Sequence, residues 1–143
     1  MSDKIRVLVV DDESLARQIT KSYLAAYPHI EIIGECSNGF DAIKVIADEK
    51  PDIVFLDIQM PKITGFEMLE LIEDTPIIIF TTAYDHFAIK AFEVNAADYI
   101  LKPFSEERFK EALDKSFIHL RDRFQQKKKN KNLIEHNDQK EEK

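Results

Sequence analysis

Apolar residues in this chain follow two rhythms that alternate five times. Short, mostly apolar runs at Ile5–Val10, Ile30–Cys36, 53–58, 77–80 and 96–101 have the length and β-branched content of buried strands. Between them, apolar positions recur every three or four residues, the spacing of one helical face. Residues 14–27 put Leu15, Ile19, Tyr23 and Leu24 on such a face, and Pro28 ends that helix. Asn38 is placed to cap a second helix, with Asp41 favouring its N-terminal dipole and Ala42, Ile43, Val45 and Ile46 as its buried stripe. Pro51 precedes the third strand. Pro61 and Gly65 frame a loop before a helix over 66–73, and Pro76 precedes the fourth strand. A fourth helix is expected over 86–94. Ser105 caps a last helix, with Glu106 and Glu107 in its first turn and Phe109, Leu113, Phe117, Leu120 and Phe124 along it. From Gln125 onward the pattern is polar and Lys-rich. The division expected is one domain over 1–122 and an appendage over 123–143, a fraying helix passing into a linker that is partly disordered.

Repeated βα units with short connections imply a parallel sheet with right-handed crossovers. The fold class expected is α/β, the flavodoxin-like (βα)5 doubly wound sheet with strand order 2-1-3-4-5. That order makes strands one and three neighbours, and ligands in such sheets sit at the carboxyl ends of the strands.

Composition narrows the class. A length of 143 residues and a hydrophobic share of 44% suit one domain with a short appendage. No apolar stretch approaches the roughly 20 residues of a membrane span. Residues 1–4 lead straight into a strand without a signal peptide's apolar segment, and Cys36 is the sole cysteine, so a cytoplasmic setting is expected. The net charge of −7 is uneven: residues 121–143 carry +3, leaving −10 on residues 1–120. An acidic body argues against direct nucleic-acid binding. The basic run at 127–131 reads as a solvated linker.

The chemistry lies at the strand ends. The first strand runs into Asp11-Asp12, the third into Asp57, the fourth into Thr81-Thr82-Ala83 and the fifth into Lys102-Pro103. Converged on one site, these supply three carboxylates, a hydroxyl and an ammonium. Mg²⁺ takes oxygen ligands and is commonly held by one or two carboxylates plus a phosphate oxygen. Asp12 and Asp57 suit direct ligation, and Asp11 suits ligation through water. Clustered carboxylates raise one another's pKa, which a divalent cation offsets. An ionised Asp57 is then a nucleophile of the kind that forms aspartyl phosphates. Lys102 adds a second cation, the Thr82 hydroxyl a donor, and Pro103 a turn compatible with a cis peptide bond.

Taken together, Val-Val-Asp11-Asp12-Glu13, the run Leu56-Asp57-Ile58-Gln59-Met60-Pro61 with Gly65, Thr82-Ala83, and Asp98-Tyr99-Ile100-Leu101-Lys102-Pro103-Phe104 resemble a response-regulator receiver domain of bacterial two-component signalling, over about residues 4–120. The resemblance implies that Asp57 is the phosphoacceptor. It implies that Asp11, Asp12, Asp57 and the Gln59 carbonyl hold Mg²⁺. It makes Thr82 and Tyr99 a coupled switch pair and Lys102 the phosphate-binding cation. It also places Gln59 and Tyr84 beside the path of hydrolytic water. A narrower resemblance, in the residues from Asp11 to Arg17 and from Phe80 to Tyr99, is to receivers of the LytTR class (LytR/AlgR-like), which usually continue into a DNA-binding domain. No such domain follows in these residues. The partners implied are a sensor histidine kinase, DNA only through a missing output domain, no membrane, and a second copy on phosphorylation. That dimer would use helix four, strand five and helix five, with Lys90, Phe92, Glu93, Asp98 and Arg108 as its candidate surface.

Other readings stay in view. The expected role is a signalling switch that modifies its own aspartate, not an enzyme acting on external substrates. A stand-alone receiver in a phosphorelay, or a protein–protein switch, is the alternative. A phosphatase of the haloacid dehalogenase type needs a second Asp two residues after the nucleophile, where this chain has Gln59. A flavodoxin-like nucleotide or flavin module needs a Gly-rich phosphate loop, and the chain has three glycines. The four histidines lack metal-ligand spacing and read as surface residues, and Cys36 reads as a small buried hydrophobe.

Overall fold

The structure, a computed structural model, describes the backbone of residues 4–141 and the side chains of residues 4–133. Its elements run β1 (Ile5–Val10), α1 (Ser14–Leu24), β2 (Ile30–Cys36), α2 (Gly39–Glu49), β3 (Ile53–Asp57), α3 (Gly65–Glu70), β4 (Ile77–Thr82), α4 (Ala88–Glu93), β5 (Asp98–Leu101) and α5 (Glu106–Glu141). The sheet is parallel throughout, in the order β2-β1-β3-β4-β5. This is the predicted topology.

Side chains of the central strands alternate between two cores. Leu8, Val10, Val54, Leu56, Ile78 and Phe80 pack with Ala42 and Ile46 of α2, Phe66 and Met68 of α3 and Ala91 of α4. Val7, Val9, Ile53, Phe55, Ile77 and Ile79 pack on the opposite face with Leu24 of α1 and Phe109, Ala112 and Leu113 of α5. All five residues of β3 are buried, as expected of the middle strand of a sheet covered on both faces. Register carries the site: Val10 lies opposite Leu56, and Asp57 opposite Thr81.

The predicted caps are present. The Asn38 side chain accepts from the Asp41 N–H at 2.9 Å, and Ser105 Oγ accepts from the Arg108 N–H at 3.1 Å. A capping box that the pattern did not single out starts α3: Thr64 Oγ1 accepts from the Glu67 N–H, and Glu67 accepts from the Thr64 N–H.

Three expectations are corrected. Helices α1, α3 and α4 are shorter than the patterns over 14–27, 66–73 and 86–94, because turns replace their ends. The β4 ladder runs on to Thr82, while β5 begins at Asp98. The core face of α1 is rotated: Thr20 and Leu24 are buried, whereas Leu15 is 68% exposed and Ile19 39%. Helix α5 continues past Gln125 to Glu141; residues 142 and 143 lie outside the described residues. No Gly or Pro follows Pro103, and Lys, Gln and Glu are good helix formers. Arg123 ties α5 to the domain, its Nη1 donating to the Thr75 carbonyl at 2.7 Å. Among the described residues, no helix is long and apolar enough to cross a membrane.

Candidate functional site

The ends of β1, β3 and β5 meet around one ammonium. Lys102 Nζ lies 2.7 Å from Asp11 Oδ2, 3.1 Å from Glu13 Oε1 and 3.4 Å from Asp57 Oδ2. The Lys102–Pro103 bond is cis. Asp11 and Asp57 are buried, Asp12 and Glu13 exposed, so the cluster has a closed floor and an open mouth. One carboxylate oxygen from each of Asp11, Asp12, Glu13 and Asp57 falls within 4.8 Å of the others. These are hard oxygen donors, the type that Mg²⁺ prefers.

The electrostatics fit a site built for added positive charge. Burial, then the neighbouring Asp11 and Asp12, pushes the Asp57 carboxyl up to about 7 against the pull of Lys102. Burial opposes the charge on Lys102, but its hydrogen bond to Asp11 and the charge of Asp57 outweigh that and hold the ammonium above its ordinary value. A divalent cation at the open mouth would relieve the repulsion and keep Asp57 ionised.

Backbone packing fixes Asp57 from below. Gly65 at the start of α3 donates its N–H to the Ile58 carbonyl at 2.9 Å. A Cβ at Gly65 would sit 2.6 Å from the Asp57 carbonyl oxygen. Only a residue without a side chain permits that approach.

On the other flank, Thr82 is fully buried, and its Oγ1 accepts from the Tyr84 N–H at 3.2 Å. The Thr82 carbonyl accepts from the Lys102 N–H at 2.7 Å, which ties β4 to the Lys-bearing turn. The Tyr99 hydroxyl donates to the Tyr84 carbonyl and accepts from the Phe87 N–H at 3.3 Å. Thr82 and Tyr99 therefore grip the same β4–α4 loop from its two sides. Tyr84 is half-exposed, with its ring edge against His86 and Phe87. Gln59 stands exposed on the loop two residues beyond Asp57.

A model of the response regulator receiver domain family matches residues 7–114. The chain belongs to that family. This receiver is 50% identical to the transcriptional regulatory protein BtsR of Escherichia coli (strain K12) over 111 residues, 76% of this chain and 46% of BtsR. It is 51% identical to the sensory transduction protein LytT of Bacillus anthracis over 114 residues, 78% of this chain and 46% of LytT. The receiver thus spans about half the length of these relatives, and both agree with the LytTR-class resemblance. Among solved structures, the response regulatory domain of protein mrkE from Klebsiella pneumoniae shares the fold with a TM-score of 0.74 at 34% identity, over 82% of this chain and 98% of that one.

The receiver's structure brings Asp11, Asp12, Asp57 and Lys102 together as predicted and adds Glu13, whose signal was its place beside the Asp pair. The five candidate dimer-surface residues lie on or beside α4, β5 and α5. Arg108 grips Asp98 of its own chain, at 2.7 Å and 2.9 Å, and Lys115 joins them at 3.3 Å. Lys90 Nζ lies over the Phe66 ring, 4.6 Å from its centroid. Phe92 is 85% exposed, and Glu93 is also exposed. Within the chain, β5 and α5 pack closely enough for the Arg108 fork to close on Asp98. Cys36 is buried as expected, and burial pushes its thiol up to about 11. Of the histidines, His29 and His86 are exposed and His119 is half-buried; the side chain of His136 lies outside the described residues.

Proposed function

We propose that Asp57 is the phosphoacceptor of this receiver and that a sensor histidine kinase is its phosphodonor. The observation that carries the reading is the buried Asp57 carboxylate at the end of β3, 3.4 Å from Lys102 and ringed by Asp11, Asp12 and Glu13. Asp11, Asp12 and Asp57, with the Gln59 carbonyl, would hold Mg²⁺. The bound ion would neutralise the acidic cluster and the phosphoryl oxygens.

The chain's own residues then do the following. The Asp57 carboxylate attacks phosphorus, forming a new P–O bond. The bond from phosphorus to the donor imidazole breaks, and the imidazole leaves with the electron pair. Lys102 shifts from its carboxylates toward the new anion, and Thr82 turns its hydroxyl from the Tyr84 N–H to a phosphoryl oxygen. That turn frees the β4–α4 loop, and Tyr99 follows inward. Gln59 and Tyr84 flank the acyl phosphate and set its lifetime; neither offers a carboxylate to orient water.

The face of α4, β5 and α5 then changes and sets the output. Ile89 (77% exposed) and Phe92 give it apolar area for a second copy, which exposed ion pairs alone, at about 0–1 kcal/mol each, would not hold. Downstream of that dimer the reading is transcription through a LytTR domain, in a cytoplasmic setting. The receiver is taken as 1–122, with 123–143 as a polar, Lys-rich helix extension or linker. Sedimentation with and without a phosphoryl mimic tests the dimer; a monomer in both states favours a phosphorelay or protein–protein switch.

Incubation with a small phosphodonor and Mg²⁺, read by intact mass, tests the acceptor. One phosphate should add to the parent and none to Asp57→Asn. Labelling of that variant would overturn the assignment. Steady release of phosphate from many substrates would favour a phosphatase.

A further inference from the structure

Asp11 is held at every polar atom it has. Its N–H donates to the Cys36 carbonyl at 3.0 Å, Oδ1 accepts from the Glu13 N–H at 2.9 Å and Oδ2 meets Lys102 at 2.7 Å. Its carbonyl accepts from Arg17 Nη1 at 2.7 Å. Arg17 lies on the first turn of α1 with a side chain only 16% exposed, and its Nε donates to Glu35 Oε1 at 2.8 Å. Glu35, on β2, takes Lys21 Nζ on its other oxygen. The planar guanidinium thus bridges a carboxylate on the edge strand and the peptide between the two aspartates.

Asp12 needs that bridge. Its carboxylate has no hydrogen bond or ion pair among the described residues, so its backbone sets its place. The Asp11–Asp12 peptide is a rigid plane, and fixing its C=O fixes the Asp12 N and Cα as well. We infer that Arg17, braced by Glu35, is a positioning residue for the divalent-cation site, aiming the exposed Asp12 carboxylate at Asp57. The inference rests on the reading that this acidic cluster takes such a cation.

The sign of the effect separates positioning from simple charge. A guanidinium beside four carboxylates repels a divalent cation, so as a charge alone its loss would tighten binding. As a positioner its loss weakens binding, and removal of an outer residue of this kind costs about 10–100-fold. Mg²⁺ alone, titrated calorimetrically into the full chain, is the probe. Arg17→Met, which keeps the stem, should weaken binding about tenfold, and Glu35→Ala should weaken it less. Arg17→Lys should fall between Met and the parent, because one ammonium lacks the fork to make both bonds. Equal or tighter binding by Arg17→Met would overturn the proposal. If Arg17→Met does not fold, Arg17→Lys decides: it keeps the positive charge, so binding weaker than the parent's reports lost positioning, and parent-like or tighter binding would overturn the proposal. Asp12→Ala is the control: parent-like affinity in that variant would sink the cation-site reading itself, whereas its loss with Arg17→Met unchanged would sink only the role of Arg17.

Discussion

Breaking the clamp between β5 and α5 tests how much the domain depends on a charge pair that the sequence alone would send outward. Arg108 makes two hydrogen bonds to Asp98 and a third to the Tyr99 carbonyl at 3.1 Å. The Asp98 side chain is 9% exposed and that of Arg108 34%. Charge-assisted hydrogen bonds contribute about 1.5–3 kcal/mol when buried and less when one partner reaches water. In Arg108→Met the stem still packs, and Lys115 still faces Asp98, so the aspartate is not stranded. The expected loss is therefore about 2 kcal/mol, or roughly 6–8 °C in Tm for a domain of this size. Burial opposes the Asp98 charge, but Arg108, the Tyr99 N–H and Lys115 outweigh it and hold the carboxyl below its usual range. Stability from a depressed carboxyl is fully present above its unfolded value near 4 and is lost as pH falls through its folded value. Urea unfolding followed by circular dichroism should show the same gap between parent and Arg108→Met at pH 7 and pH 5, shrinking below about pH 4. A gap under about 0.5 kcal/mol at pH 7 would refute the clamp, leaving an ordinary surface pair. A gap that widens in acid would refute Asp98 as its charged partner.

Gly65→Ala forces a methyl group to 2.6 Å from the Asp57 carbonyl and should cost about 2–3 kcal/mol in urea, with slower labelling of Asp57. Tyr99→Phe removes the hydroxyl that grips the Tyr84 carbonyl and the Phe87 N–H; amides 84–87 should exchange faster, with a global loss near 1 kcal/mol. Tyr84→Ala should shorten the life of the phosphoryl group by opening the water path, and an unchanged or longer life would count against shielding.

What the sequence by itself determined was the alternation of elements and the chemistry at their ends. Unbroken apolar runs such as residues 53–56 have one comfortable place, the middle of a sheet covered on both faces. Asn38 and Ser105 can cap because their bonds reach only three residues along the chain. The convergence of Asp11, Asp12, Asp57 and Lys102 was legible for the same reason, since every strand in a parallel sheet ends on the same side.

Tertiary structure decided everything that depends on where a neighbour stops or which partner arrives first. Periodicity puts Leu15 and Ile19 in line with Leu24, but only the packing of α1 in the fold leaves the first two exposed and buries the third. Charge counting offers Asp98 and Arg108 to any opposite charge, but only the packing of α5 against β5 joins them within one chain. Arg17 looks like a surface residue on a helix until β1 and β2 bring the Asp11 carbonyl and Glu35 within its reach. Local rules act over a few residues, whereas these contacts span the register between strands, which no short stretch of sequence contains.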